Sequence, residues 1–223
     1  MKIGILGTGR VARTLGGGFS TRGHDVYLGS RDVIRVTSDT SGESSFNAWH
    51  ASYPDVKLVT LKQAASEGDL VVNATDGPGS LSALREAGED RFGSKVLIDV
   101  ADPLDWSHGF PPSLTVCNAD SLGEQIQRAL PNVKVVKALN TVHNPIMVNP
   151  RLVGGGDHTT FLSGDDLAAK AYVAKLLRTE FGWEDVVDLG DIRTARGTEM
   201  MLLLWAELSA ALQTPMFNLK LVR

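Results

Sequence analysis

The sequence predicts an α/β protein built on a doubly wound parallel sheet, and three observations carry the prediction. Short runs rich in Val, Ile and Leu recur without polar alternation, as expected of strands buried on both faces. Helical patterns separate these runs, which implies right-handed crossovers between parallel strands. The first run leads straight into a glycine-patterned turn, Gly7-Thr8-Gly9-Arg10-Val11-Ala12.

KIGIL, residues 2–6, is the first strand, and the pattern from Arg10 to about Thr21 is helical. DVYLG is the second strand, followed by the polar stretch TSDTSGESS at 37–45. VKLVT, DLVVNAT, KVLIDVA and NVKVVKALN complete six. Asp120-Ser121-Leu122-Gly123-Glu124 places a capping box, Ser121 with Glu124, at the head of the helix before the sixth strand. Beyond Pro150, HTTFLSG reads as a strand, DDLAAKAYVAKLLRTEFG as a helix and DVVDLG as a strand, and a last helix runs from about Arg193 to Leu212. The piece VNPRLVGGGDH, with two prolines and three adjacent glycines, marks the boundary. The expected organisation is a dinucleotide-binding domain over 1–150 and a small strand-helix-strand-helix extension over 151–223.

Composition narrows the function classes. Hydrophobic residues make up 43% of the 223, enough for an ordinary core. Acids number 26 against 22 bases, a net charge of −4, with no lysine-arginine block, so a nucleic-acid partner is not expected. One cysteine, Cys117, cannot close an internal disulfide, and a reducing cytoplasm fits. The longest apolar run, Met200 to Ala206, is far below the ~18 residues of a membrane span, and the first residues do not read as a signal peptide. The expectation is a cytoplasmic protein with no membrane partner.

The glycine turn is G-x-G-x-x-A between a strand and a helix, with a second strand at the right distance. Gly7 permits the tight turn, Gly9 lets a pyrophosphate approach the backbone, and Ala12 lets the helix pack close to the sheet. The first turn of the helix, with Arg10 and Val11, offers free N–H groups to the phosphates. This is the fingerprint of a Rossmann dinucleotide site. For NAD, an acid at the end of the second strand would bond the ribose 2′-hydroxyl. Here that end reads Gly29-Ser30-Arg31. A hydroxyl beside a guanidinium suits a phosphate dianion, with Arg35 adding charge and Thr8 a hydroxyl, so NADP is the expected dinucleotide. Asp32 comes after the arginine and is expected to turn away.

Ligands in such sheets lie beyond the carboxyl ends of the strands. Thr75, Asp76 and Gly77 are expected beside the adenosine or pyrophosphate, Ala101 and Pro103 beside the nicotinamide, and Asn140 and Thr141 near its ring or carboxamide. Asp76-Gly77-Pro78 and Asp102-Pro103 also read as ordinary turn residues. Of the histidines 24, 50, 108, 143 and 158, only His143, just after the sixth strand, falls near the nicotinamide, and a loop role without chemistry is its more economical reading. No metal-ligand spacing and no nucleophile elbow occurs, so neither a metal nor a catalytic residue is assigned. Reduction of a carbonyl by hydride ordinarily needs a general acid. A flavin or deazaflavin needs one less, because its ring is its own electron sink.

With GILGTGRVA, GSRD, DSLGEQIQ, VVKALNTV and ARGTEMMLLLWAELSAAL in view, the chain resembles the NADPH-dependent F-420 reductases (F-420:NADP oxidoreductases) and, more distantly, the oxidoreductase domain of STEAP-type ferrireductases. The resemblance spans nearly the whole chain. It implies an oxidoreductase that exchanges hydride between NADP(H) and coenzyme F-420 or a flavin, FMN or FAD. It also assigns Thr8, Ser30, Arg31 and Arg35 to the 2′-phosphate. The strand ends TDGPG and VADPLD, and the polar loop at 37–45, depart from the family's pattern and bear on the second substrate. The alternatives are an imine or keto-acid reductase of the same superfamily, which ordinarily needs a helical domain of ~100 residues or more, and a non-catalytic NADPH sensor. The apolar run of the last helix is expected to be buried on several sides, in part in a homodimer with Trp205 as anchor.

Overall fold

The computed structural model describes residues 1–38, 42 and 45–223. The rest of the polar stretch TSDTSGESS, residues 39–41, 43 and 44, lies outside the described residues. The first strand β1 (Lys2–Leu6) runs into α1 (Arg10–Ser20), then β2 (Asp25–Ser30), the short helices α2 (Val33–Ser38) and α3 (Phe46–Ser52), and β3 (Lys57–Thr60). Next come α4 (Leu61–Glu67), β4 (Leu70–Asn73), α5 (Gly77–Ala87), α6 (Glu89–Phe92) and β5 (Val96–Asp99). A small hairpin, β6 (Leu104–Asp105) with β7 (Ser113–Leu114), precedes α7 (Leu122–Ala129) and β8 (Lys134–Ala138). After α8 (Asn144–Val148) the chain forms β9 (Thr159–Ser163), α9 (Leu167–Leu176), β10 (Asp185–Asp188) and α10 (Ala195–Ala211).

Among the described residues the main sheet has eight strands in the order β10-β9-β8-β5-β4-β1-β2-β3. From β3 to β8 every neighbouring pair is parallel, and β1 sits between β2 and β4. The chain therefore leaves β1 toward one side and later returns to build the other. This is a doubly wound sheet with its switch point at the end of β1. The strands after Pro150 extend the same sheet. β9 pairs antiparallel with β8, Lys137 opposite Ser163, and β10 pairs parallel with β9.

Alternation along the strands feeds two cores. Ile3, Ile5, Val26 and Leu28 face α1 and the α9 side with Leu15, Phe19, Phe181 and Trp183. Leu6, Val71, Leu97 and Val135 face α4, α5 and α7 with Leu61, Leu84, Phe92 and Ile126. Each buried Leu, Ile or Phe contributes about 1.5–3 kcal/mol, so the two layers hold the sheet's upper edge as a rigid platform. No helix among the described residues is long and apolar enough to cross a membrane.

The last helix departs from the expectation for it. Ala195, Thr198, Glu199, Leu202 and Ala206 form the buried stripe, while Leu203 and Leu204 stand 39% and 52% exposed. Its apolar character is thus satisfied within the chain on one stripe only. Trp205 is half-buried between two aromatic rings of its own chain, 6.3 Å from His143 and 6.0 Å from Phe217.

Candidate functional site

A cleft of about 740 Å³ opens at the carboxyl ends of β1, β2 and β4. It is lined by Gly7, Thr8, Gly9, Ser30, Arg31, Arg35, Thr75 and Asp76, all named from the sequence. Gly7 has φ of +117°, and a Cβ there would meet the carbonyl oxygen of Ala74 at 2.6 Å. Glycine is required on both counts. Gly9 is different: its backbone is extended, and a Cβ on it would meet nothing within 4 Å. The space above Gly9 is empty of protein, so its missing side chain leaves room for a ligand rather than for packing. Gly9 is also the N-cap of α1, with no side chain capping the helix. The first N–H groups of the 11-residue helix are therefore open to an anion.

The far wall is cationic. Ser30 is buried, and its hydroxyl oxygen accepts the amide of Asp32 at 3.1 Å. Arg31 and Arg35 are exposed, and neither makes an ion pair with a described residue. Two guanidinium groups and a hydroxyl on one rim can receive a phosphate dianion in fork geometry. Asp32 does not turn away entirely. It lines the cleft, and its Oδ1 accepts the amide of Arg35 at 2.9 Å, which caps the short α2. Local capping decides its direction, which sequence order alone could not show.

Arg13, Val36, Phe46, Leu61 and Ala83 also line the cleft, and sequence reasoning missed them. Arg13 follows Gly9 by one helical turn, which was a usable signal. Its guanidinium donates to the Ser45 carbonyl at 3.1 Å, tying α1 to the loop before α3. Phe46 arrives from a segment with no strand or helix pattern of its own.

The remaining residues named from the sequence sit around the cleft without lining it. Arg10 and Val11 open α1. Gly77 begins α5 pressed against the backbone of Asp102, where a Cβ would come within 1.7 Å of its carbonyl oxygen. Ala101, Pro103, Asn140 and Thr141 are buried at the ends of β5 and β8. Thr75 donates its hydroxyl to Asn73 Oδ1 at 2.6 Å, and Asn73 donates in turn to Asp99 Oδ1 at 2.8 Å.

Beneath these strand ends lies a buried ionic cluster. Lys137 Nζ meets Asp99 Oδ2 at 3.0 Å and Glu199 Oε1 at 2.9 Å, and also donates to the Ala101 carbonyl. Burial alone would push this ammonium's pKa down, but the carboxylates of Asp99, Glu199 and Asp102 outweigh it and hold the pKa above the usual lysine range. Glu199 comes from α10 and also accepts the amides of Leu122 at 2.7 Å and Gly123 at 2.9 Å. The expected capping box at Ser121 and Glu124 is thereby rearranged. Ser121 accepts the Glu124 amide at 3.1 Å, but the Glu124 carboxylate takes the Ser121 hydroxyl and Arg196. The open N–H groups of α7 go to Glu199.

Asp102 is the functional candidate that sequence reasoning passed over as a turn residue. Half-buried, its Oδ1 accepts Asn140 Nδ2–H at 3.0 Å. Burial pushes its pKa up to about 8, with Lys137 and Asn140 opposing and Glu199 and Asp99 adding to the rise. His143, the N-cap of α8, has its pKa held below the ordinary imidazole value by burial and then by the Arg10 charge. It is neutral at pH 7.

The profile of the family described as "NADP oxidoreductase coenzyme F420-dependent" matches residues 2–103. The crystal structure of a candidate F420-dependent NADP-reductase from Arthrobacter sp. FB24 superposes with a TM-score of 0.96 at 49% identity, over 100% of both chains. This chain belongs to the F420-dependent NADP oxidoreductase family. It is an NADP-dependent oxidoreductase. Two curated relatives of the family member are more distant. The metalloreductase STEAP3 of Rattus norvegicus is 27% identical over 91% of this chain, which spans only 36% of that protein's length. The F420-dependent NADP reductase of Methanocaldococcus jannaschii is 26% identical over 88% of this chain and 86% of its own. An imine reductase from Streptomyces aurantiacus, 18% identical with a TM-score of 0.59, shares the fold over 94% of this chain and 64% of its own.

Proposed function

We propose that this oxidoreductase exchanges hydride between NADP(H), bound across the strand ends, and a deazaflavin such as coenzyme F-420. Thr8, Ser30, Arg31 and Arg35 hold the 2′-phosphate. Gly7, Gly9, Arg10 and Val11 hold the pyrophosphate, with Thr75, Asp76 and Gly77 on its other side. Ala101, Pro103, Asn140 and Thr141 border the nicotinamide. The F420 in the names of the family and of two relatives supports the deazaflavin, and none of those names points to FMN or FAD.

The observation that carries the acceptor class is an aromatic wall beside the strand ends. His143, Trp205 and Phe217 stack in series with interplanar angles of 25° each. Trp205 also lines a groove of about 330 Å³ together with Trp106 and Phe110 of the β6–β7 hairpin. Flat apolar surfaces favour a planar fused ring. Oxidation of NADPH measured against F-420, FMN, FAD and a set of small ketones and imines tests the reading. Turnover is expected with F-420. Turnover confined to carbonyls or imines would replace it with the reductase alternative.

The reading includes a homodimer. Leu203 and Leu204 face outward from α10, and Leu212 beyond it is 54% exposed. Burying such a stripe against its copy is the ordinary outcome for a closed two-fold interface. Leu204→Glu should shift light scattering from dimer to monomer at micromolar concentration. Trp205, occupied within its own chain, is the lesser anchor.

A further inference from the structure

We propose that Asp102, held by Asn140 between the carboxyl ends of β5 and β8, releases and takes up a proton in step with the charge on the nicotinamide ring of the bound dinucleotide. The inference rests on the assignment of NADP to the cleft.

Placement is the first argument. The glycine turn follows β1 and the cationic rim follows β2, so a dinucleotide with its 2′-phosphate on that rim extends across β1 toward β4 and β5. Asp102 lies three residues past the end of β5, and Asn140 two past the end of β8. The hydrogen bond between them, at 3.0 Å, spans the gap at the far end of that path. Asp102 is half-buried, so a proton has a way out to solvent.

Charge accounting is the second argument. An ammonium has three protons to donate. Lys137 spends them on Asp99, Glu199 and the Ala101 carbonyl, leaving none for Asp102. The charged groups around Asp102 are Asp99 from β5, Lys137 from β8 and Glu199 from α10. These three sum to −1. The α5 side contributes its first turn at Gly77, packed on the Asp102 backbone. An ionised Asp102 would therefore add a second uncompensated negative charge, and its carboxyl stays protonated up to about pH 8. A nicotinamide ring is neutral when reduced and carries +1 when oxidised. The oxidised ring supplies the compensation that Lys137 cannot.

The balance is simple. When NADP+ binds, the Asp102 O–H bond breaks, the carboxylate stays beside the cationic ring, and one proton leaves to solvent. When hydride leaves C4 of bound NADPH with its two electrons, the same O–H bond breaks as the ring becomes cationic. The reverse transfer restores it. Asp102 holds charge and moves a proton. It does not touch the hydride.

Calorimetric titration of the wild-type protein with NADP+ and with NADPH, at pH 7 in two buffers of different ionisation enthalpy, counts the protons released by each. Both dinucleotides carry the same phosphates, so subtraction isolates the ring. NADP+ is expected to release about half a proton or more beyond NADPH, and its affinity relative to NADPH should rise by about tenfold or more between pH 6 and 9. Asp102→Asn should abolish both differences. Asn140→Ala should keep them but move the transition to higher pH, because the Asn140 donor favours the carboxylate. Equal proton counts for both dinucleotides on the wild-type protein would overturn the inference alone. A difference that survives in Asp102→Asn would do the same. Absence of binding by either dinucleotide would overturn the NADP reading and this inference with it.

Discussion

Replacing Glu199 with alanine should weaken the fold by about 4 kcal/mol, and the structure shows where that figure comes from. The carboxylate is 1% exposed and serves three groups at once: the amides of Leu122 and Gly123 at 2.7 and 2.9 Å, and Lys137 Nζ at 2.9 Å. Two buried N–H groups left without an acceptor cost about 1–3 kcal/mol each. Breaking a buried ion pair from one side costs about 3–5 kcal/mol, moderated here because Asp99 remains with Lys137. The terms share atoms and cannot be summed, which leaves about 4 kcal/mol. For a chain of 223 residues this is a fall in Tm of about 8–16 °C. Urea unfolding followed by far-UV circular dichroism reads the difference directly. Glu207→Ala, on the exposed side of the same helix, is the control and should stay within about 0.5 kcal/mol. A loss below about 1 kcal/mol in Glu199→Ala would refute the claim that one side chain from the last helix both caps α7 and neutralises the cluster.

Arg31→Ala should weaken NADPH at least tenfold, about 1.4 kcal/mol, and leave NADH nearly unchanged; equal losses in a fluorescence titration would remove Arg31 from the 2′-phosphate. Gly9→Val should leave the thermal unfolding profile intact, since a Cβ at this position meets no protein atom within 4 Å, yet abolish dinucleotide binding; normal NADPH affinity would take the turn out of the site. Asp102→Asn should become steadily more stable than the wild type as pH rises from about 4 to 8. The folded carboxyl, at about 8, binds a proton that the unfolded one, near 3.9, has already lost, so wild-type stability is full below about pH 4 and falls through that window. The limiting slope is about 1.4 kcal/mol per pH unit, and urea midpoints that move in parallel for both proteins would sink it.

Much of this protein is legible before folding because its signals are local. The runs of Val, Ile and Leu mark strands covered on both faces, and every strand from β1 to β5, and β8, appears where such a run stands. Gly7 is demanded by a turn only glycine can make, and Gly9, Ser30, Arg31 and Arg35 sit at fixed distances from it along the chain. They fall on one cleft because β1 and β2 are adjacent and parallel, and both chain order and helix packing enforce that adjacency. The short α3, with Phe46 over the cleft, leaves no such trace. Its seven residues carry a Ser45 cap but no apolar period long enough to read.

The sequence by itself determined a doubly wound sheet, a phosphate-binding turn and a cationic rim at the second strand's end. Tertiary structure alone decided what Asp102, Lys137 and Glu199 do. Lys137 reads as one polar residue in a strand, Glu199 as one acid in an apolar helix, and Asp102 as half of a turn. Only when β8 lies beside β5, and α10 folds back onto α7, does Lys137 come within 3.0 Å of Asp99 and Glu199 in a buried setting, with Asp102 near enough to feel their charges. There the cost of desolvation binds Lys137 to two carboxylates and leaves Asp102 protonated. Coulomb interactions across a low-dielectric interior depend on distance in space, not along the chain, so no spacing in the sequence could announce them.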